Sequence, residues 1–344
     1  DRVPGDHMSD YRKVKEALSK SLAKSRETRE SHEVESLNLV VFSDLHRGKG
    51  NGADDFRKCE RAYRSALSYY DQLKFRLILL GDIEELWETS IKKTVRHYRQ
   101  LLEVEKKFVN DGRYTRLIGN HDETLANPKV FKTLSPFVNG VQPIDALNIE
   151  VKHQGELLGE LFFAHGHQGK HYSKLDKWAV RYLWAGFQKL TGLGSSWPSA
   201  NYEIRNRHEK AMYEWSIDHQ APLIFICGHT HRPVFMSSAQ KQFLIKEIEQ
   251  MRRSNAPAKD IAEATARLNW ILLDPDKNSE LSQDTSKPSY FNSGCCSFAD
   301  GDITGIEISD GCIRLIKWGE SGGRLKRIEL HESRLADVFA GCRD

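Results

Sequence analysis

Short apolar runs in this chain end the same way five times. Asn38–Ser43, Arg76–Leu80, Thr115–Ile118, Leu161–Ala164 and Leu223–Cys227 are strand-length, and each runs straight into a polar block. The blocks are Asp44-Leu-His46, Gly81-Asp82-Ile-Glu-Glu85, Gly119-Asn120-His121-Asp122, His165-Gly166 and Gly228-His229-Thr230-His231. Apolar runs of this length, bounded by glycine and polar residues, read as buried strands. Between the first of them, Asp54–Tyr70 and Trp87–Val109 carry helical patterns. Later, Ser289–Asn292, Ile303–Ile308 and Cys312–Lys317 read as strands joined by glycine-containing turns. Strands that alternate with helices early and follow one another late predict an α/β domain with mixed sheets. In such sheets, sites are built at the carboxyl ends of strands, where these blocks fall.

The residue types in the blocks point to metal chemistry. Carboxylate, imidazole and amide oxygen suit manganese, iron or zinc better than a thiolate-selecting metal. An aspartate has two oxygens and a full charge, so it can bridge two cations. Two cations about 3.5–4 Å apart can clamp an in-line phosphoryl displacement and acidify water between them. Each block alone is commonplace. Five in one chain, each at a strand end, have little structural use.

The rest of the composition narrows the class. Lys and Arg total 51 against 48 Asp and Glu, a net charge of +3. That excludes a strongly basic nucleic-acid coat and an acidic disordered chain. The six cysteines show no CxxC spacing, and Cys295-Cys296 read as small sheet residues, not as a thiol nucleophile. Gly48-Lys-Gly-Asn-Gly52 lacks the Gly-Lys-Ser/Thr ending of a phosphate loop. No apolar run reaches transmembrane length, and the first residues lack the apolar stretch of a secretory signal, so a cytoplasmic protein is expected. Residues 1–7, ahead of Met8, read as a tag remnant, and 10–36 as a surface helix with a thin stripe of Val14, Ala17, Leu18 and Leu22. Residues 1–37 are therefore set apart from a domain spanning 38–344.

Two insertions interrupt the strands. Segment 168–220 holds a helix with Leu175, Trp178, Ala179, Tyr182, Leu183, Phe187 and Leu190 on one face, and a second near 203–218 with Ile204, Ala211, Met212 and Trp215. These are expected either to pack on each other and on the core or to form a cap beside the site. Segment 238–288 reads as a helical hairpin, 239–254 and 257–272, broken at Asn255-Ala-Pro257 and followed by a polar loop. It is read as part of the cap or as a dimer contact.

In order and spacing the blocks resemble the calcineurin-like metallophosphoesterase superfamily, whose pattern is Asp-x-His, Gly-Asp-x-x-Asp/Glu, Gly-Asn-His-Asp/Glu, His, Gly-His-x-His. The resemblance covers roughly 38–236, with Tyr290–Trp318 matching the closing strands. It implies two mixed β-sheets packed as a sandwich, flanked by helices. It also implies a dinuclear site, with Asp44, His46, Asp82 and His231 on one metal and Asp82, Asn120, His165 and His229 on the other. Asp82 would bridge, and His121 would stand beside the phosphate. Gly81–Trp87 and Gly228–Pro233 look like the branch of UDP-2,3-diacylglucosamine pyrophosphate hydrolases, which carries Arg in place of His121. The Asp-Arg-Gly of protein Ser/Thr phosphatases is absent after the second block.

The expected function is hydrolysis of a phosphodiester or pyrophosphate bond by a metal-bridging hydroxide. Two divalent ions would serve it, Mn²⁺ foremost, with Fe or Zn as alternatives. His121 would protonate the leaving oxygen, Asn120 would neutralise developing charge, and Glu85 or Asp122 would orient His121. His167, with His171 near it, Arg47 and Arg232 are candidate contacts to substrate phosphate. A nucleotide-linked or lipid-bearing substrate, and with it a peripheral membrane contact, follows from the basic residues interspersed in the apolar cap. A nuclease and a non-catalytic metal-binding scaffold are the other classes.

Overall fold

The computed structural model describes residues 6–169, 200–236, 238–254, 287–321 and 323–343, with 257–258, 261–262, 264–265 and 268–269. Two β-sheets face each other. The first has seven strands: β1 (Glu30–Glu33), β5 (Ala146–His153), β6 (Glu156–Ala164), β7 (Leu223–Cys227), β8 (Pro233–Phe235), β9 (Ser238–Ala239) and β10 (Tyr290–Ser293), in the order β1-β5-β6-β7-β10-β8-β9. The second has six, β13 (Arg324–Arg334), β12 (Cys312–Ser321), β11 (Ile303–Ser309), β2 (Leu39–Phe42), β3 (Arg76–Leu80) and β4 (Tyr114–Leu117), in that order. Each sheet mixes parallel and antiparallel pairs, as the sequence led us to expect: β2-β3-β4 and β6-β7-β10 run parallel, while β11-β12-β13 and β5-β6 run antiparallel.

Strand alternation sorts the core into layers, because neighbouring side chains leave a strand on opposite faces. Leu39, Val41, Ile78 and Leu80 of the six-stranded sheet meet Ile149, Phe163, Ile224 and Ile226 of the other, filling the space between sheets. Val40, Phe42, Leu77 and Leu79 turn outward onto α2 (Phe56–Gln72), α3 (Ile91–His97) and α4 (Arg99–Asn110). Phe162, Ala164, Phe225 and Cys227 turn outward from the seven-stranded sheet onto α1 (Asp6–Arg26) and α6 (Ala200–Ile217). A short α5 (Pro128–Phe131) precedes β5, and α8 (Leu335–Gly341) ends the described chain.

Several boundaries differ from the sequence reading. The helix expected over Trp87–Val109 starts at Ile91 and breaks at Tyr98, whose hydroxyl donates to Asp54. Residues 30–33 add an edge strand to the seven-stranded sheet, and Val14, Leu18 and Leu22 of α1 are buried against it. Helix α6, expected near 203–218 as half of a cap, is instead an integral outer layer: Ala211, Met212 and Trp215 are core, and the Trp215 indole donates to Ser19 of α1. Leu175, Trp178 and the other face residues of the first cap helix, with His171, lie outside the described residues. In the second insertion, α7 (Gln240–Arg253) matches the expected first helix; the second helix is described only in part, and the polar loop lies almost wholly outside. Among the described residues, no helix is long and apolar enough to cross a membrane.

Candidate metal centre

The carboxyl ends of β2, β3 and β4 in one sheet and of β6 and β7 in the other open onto one place. Asp44 and His46 follow β2, Asp82 and Glu85 follow β3, and Asn120 and His121 follow β4. His165 follows β6, and His229 and His231 follow β7. The chain must turn sharply at each strand end. Asp44, His46, Asp82, His229 and His231 all adopt left-handed backbone, with φ between 50° and 67°. Asp and His tolerate that region better than most side chains, so ligand chemistry and backbone need coincide here. Gly119 and Gly228 make the close approach possible. A Cβ at Gly119 would stand 2.1 Å from Asp82 Oδ1, and one at Gly228 2.4 Å from Asp44 Oδ2.

Backbone donors fix the carboxylates and leave one oxygen of each facing the centre. His229 N–H donates to Asp44 Oδ2 (2.9 Å), and His121 N–H donates to Asp82 Oδ1 (2.8 Å). Asp44 Oδ1 is then 3.2 Å from His231 Nε2 and 3.8 Å from His46 Nε2. Asp82 Oδ2 is 3.0 Å from His165 Nε2 and 4.0 Å from His46 Nε2. His165 Nδ1–H donates to the Leu80 carbonyl (2.9 Å), so its Nε2 is the nitrogen turned inward. His46 Nε2 and His231 Nε2 face each other at 3.1 Å.

The donor atoms of Asp44, His46 and His231 lie within 4.8 Å of one another, and so do those of Asp82, His165 and His229. A third set, His46, Asp82 and His121, overlaps both. Asp44 Oδ1, Asn120 Oδ1 and His165 Nε2 are buried and make no hydrogen bond among the described residues. Leaving buried polar atoms unsatisfied is costly unless something binds them. Mixed carboxylate and imidazole donors converging this closely fit a divalent cation.

The field inside the cluster is strong. Burial pushes the Asp44 carboxyl up, but the His231 and His165 imidazoles outweigh it and hold it well below its usual range. Asp82 is lowered in the same way, chiefly by His165 and His121 against burial. Burial depresses His165, yet the charges of Asp82 and Asp44 raise it to about 9. Glu85 falls to about 2, burial being overcome by His121 and His46. Its Oε2 is 2.6 Å from His121 Nδ1 and 3.0 Å from His46 Nδ1, between the two imidazoles. Asp122 does not share that task. It accepts from the backbone of Gly119 and Ile83 and pairs with Arg116, locking two loops together.

The expected substrate contacts divide. His167 is half-buried beside the centre, its ring 5.4 Å from that of His165. Arg47 and Arg232 are both engaged in buried ion pairs. Arg47 is fully buried, pairing with Glu84 (2.6 Å) and Glu105 (2.7 Å), and Arg232 is buried 3.6 Å from Glu209. Sequence reasoning missed His208 and Glu209 on α6. His208 hydrogen-bonds the Gly166 carbonyl with its ring 5.2 Å from His229, and Thr230 donates to Glu209. It also missed Asn292, whose amide donates to Gly228 O (2.7 Å) and Thr230 Oγ1 (3.1 Å).

The family model for calcineurin-like phosphoesterases matches residues 37–233, which run through all five strand-end blocks. The chain belongs to that family. The comparison with curated proteins finds no match. Among solved structures, this phosphoesterase chain is similar to Vacuolar Protein Sorting 29 from Cryptosporidium parvum, at 13% identity and a TM-score of 0.35, over 87% of this chain and 98% of that one. It is also similar to a single mutant of Vps29 from Entamoeba histolytica, at 11% identity and a TM-score of 0.31, over 85% and 99%.

Proposed function

We propose that the chain is a metal-dependent hydrolase of phosphodiester or pyrophosphate bonds. The observation that carries this reading is the set of inward-facing donor atoms on Asp44, Asp82 and His165, held in place by hydrogen bonds made elsewhere on each residue, with the buried, unpaired Asn120 Oδ1 beside them in sequence on the loop after β4. Asp44, His46, His231 and Asp82 would hold one cation, and Asp82, Asn120, His165 and His229 the other, with Mn²⁺ the first choice for such donors. Bound there, divalent cations would polarise phosphoryl oxygens and lower the pKa of water.

The chain's own residues supply the proton. With Nδ1 of His121 facing Glu85, Nε2 is the nitrogen left for the leaving oxygen. The Glu85 carboxylate steadies an imidazolium and keeps its proton at hand until the P–O bond breaks. Such a donor serves poor leaving groups, of which the alkoxide of an alkyl ester is the plainest case. The Asn120 amide would neutralise charge on the phosphoryl group, and His167 would meet a phosphate oxygen. The nucleotide-lipid reading rests on the Gly81–Trp87 and Gly228–Pro233 motifs, since the cap helix that is described turned out to be core. Peripheral membrane contact and a homodimer rest on those insertions alike.

A panel of phosphomonoesters, phosphodiesters, UDP-linked lipids and single-stranded DNA, assayed with added Mn²⁺, tests the proposal. Turnover of a diester or pyrophosphate is expected. His121→Ala should lower kcat by about 10²–10⁴ on poor leaving groups, with less loss on p-nitrophenyl esters and metal content unchanged. Asp82→Ala should lose both ions. No turnover of any ester by a protein carrying two metals would mean a scaffold instead.

A further inference from the structure

One aromatic ring beside the centre has no part in the chemistry above. Trp87 lies in the strap that follows β3, and it is nearly buried. Its neighbour Leu86 joins the outer core with α2 and α4, whereas Trp87 is not among the residues of that cluster. Its indole stacks on the His121 imidazole, with centroids 3.9 Å apart and planes 20° from parallel. Its Nε1–H donates to the Asn120 carbonyl (2.9 Å), the peptide on which His121 is mounted. Its backbone N–H donates to Glu85 Oε1 (3.2 Å), leaving Oε2 for the two imidazoles.

An imidazole held at Nδ1 by one carboxylate oxygen can still swing about that contact. Here two neighbouring rings restrict the swing. The indole covers one face of His121, and the His46 ring meets it edge-on at 4.7 Å and 90°. We infer that Trp87 is a positioning residue for the proton donor, fixing the plane of His121 so that Nε2 meets the leaving oxygen. This rests on the phosphoesterase reading. In the step served, a water oxygen bonds to phosphorus, its proton passing to solvent, and the scissile P–O bond breaks, its electron pair staying on the departing oxygen. That oxygen takes the Nε2 proton and leaves as an alcohol, and His121 becomes neutral. Misplacing a general acid by an ångström removes much of its benefit without touching the ground-state complex.

The experiment compares Trp87→Phe, which keeps an aromatic face and loses the N–H, with Trp87→Leu, which loses both. Each is assayed with Mn²⁺ on a p-nitrophenyl diester and on an alkyl diester, beside His121→Ala. Metal content and His121 ring ¹³C relaxation are measured on the same samples. Trp87→Leu should lose about tenfold or more on the alkyl diester and little on the p-nitrophenyl ester, KM and metal content being unchanged. Its His121 ring should become mobile, and Trp87→Phe should restore most of both properties. Equal loss on the two esters, a ring that stays rigid in Trp87→Leu, or loss of metal would overturn the inference. If His121→Ala discriminates between the esters and Trp87→Leu does not, the positioning role falls and the phosphoesterase reading stands. If the wild-type protein cleaves no ester, both fall together.

Discussion

Glu84 and Glu85 are adjacent carboxylates with opposite fates. An isolated parallel bridge joins Arg47 to Glu84, with Arg47 N–H donating to Ile83 O and Glu85 N–H to Arg47 O. Along bridged segments the side chains alternate, so His46 and Glu85 turn to the centre while Arg47 and Glu84 turn beneath it. There Arg47, Arg116, Glu84, Glu105 and Asp122 form a buried charge network under the Asp82 and Asn120 loops. Arg116→Ala would strand Asp122 without its counter-charge and leave Glu84 with Arg47 alone, and should cost about 3–5 kcal/mol in urea denaturation. Gly119→Ala should act differently, pressing on Asp82 and weakening Mn²⁺ binding in calorimetry well beyond its effect on stability. The ligands were legible because each closes a strand. The direction of Arg47 and Arg232 was not, because a sequence shows that a residue neighbours a ligand but not which face it takes after a left-handed turn.

Elements with a hydrophobic period were readable, and those held by charge were not. The i, i+4 spacing of Val14, Leu18 and Leu22 marked α1, and the whole face is buried, so Leu18→Ala should cost about 2–5 kcal/mol in thermal or urea unfolding. Strand β1, Glu-Ser-His-Glu, carries no apolar signal at all. It is tied to the opposite sheet by Glu30, whose two oxygens take Arg76 Nη1 (2.5 Å) and Nη2 (2.8 Å). Burial raises the Glu30 carboxyl, but Arg76 outweighs it and the net shift is downward. A depressed acid stabilises the fold above its unfolded value, ordinarily 4.5, and the benefit is lost as pH falls through the folded value. Wild type should therefore exceed Glu30→Gln in melting temperature at neutral pH and converge with it in acid; a gap that widens in acid would show that the pair has the opposite sign. Strand β13, with charged residues at most positions, escaped the sequence reading for the same reason as β1.

At the scale of the molecule, the two-sheet architecture followed from the strand pattern and the family resemblance, while the way α1 and α6 complete the outer layer did not, because a helix face does not name its partner. The candidate metal centre lies across the seam: Asp44, His46, Asp82 and Asn120 come from the six-stranded sheet, and His165, His229 and His231 from the seven-stranded one. Cations bound there should stabilise the fold by about 2.7 kcal/mol at a hundredfold excess over Kd, so the melting temperature should rise with the logarithm of their concentration, and a chelator should reverse it. The seam also bears on time. Neither sheet alone carries either full donor set, so tight metal capture must wait until residues 44 through 231 have been gathered and the sheets have docked. In refolding, secondary structure should return at a rate indifferent to Mn²⁺, with metal uptake lagging behind it, so that the cation acts as a latch on a finished assembly and not as its nucleus.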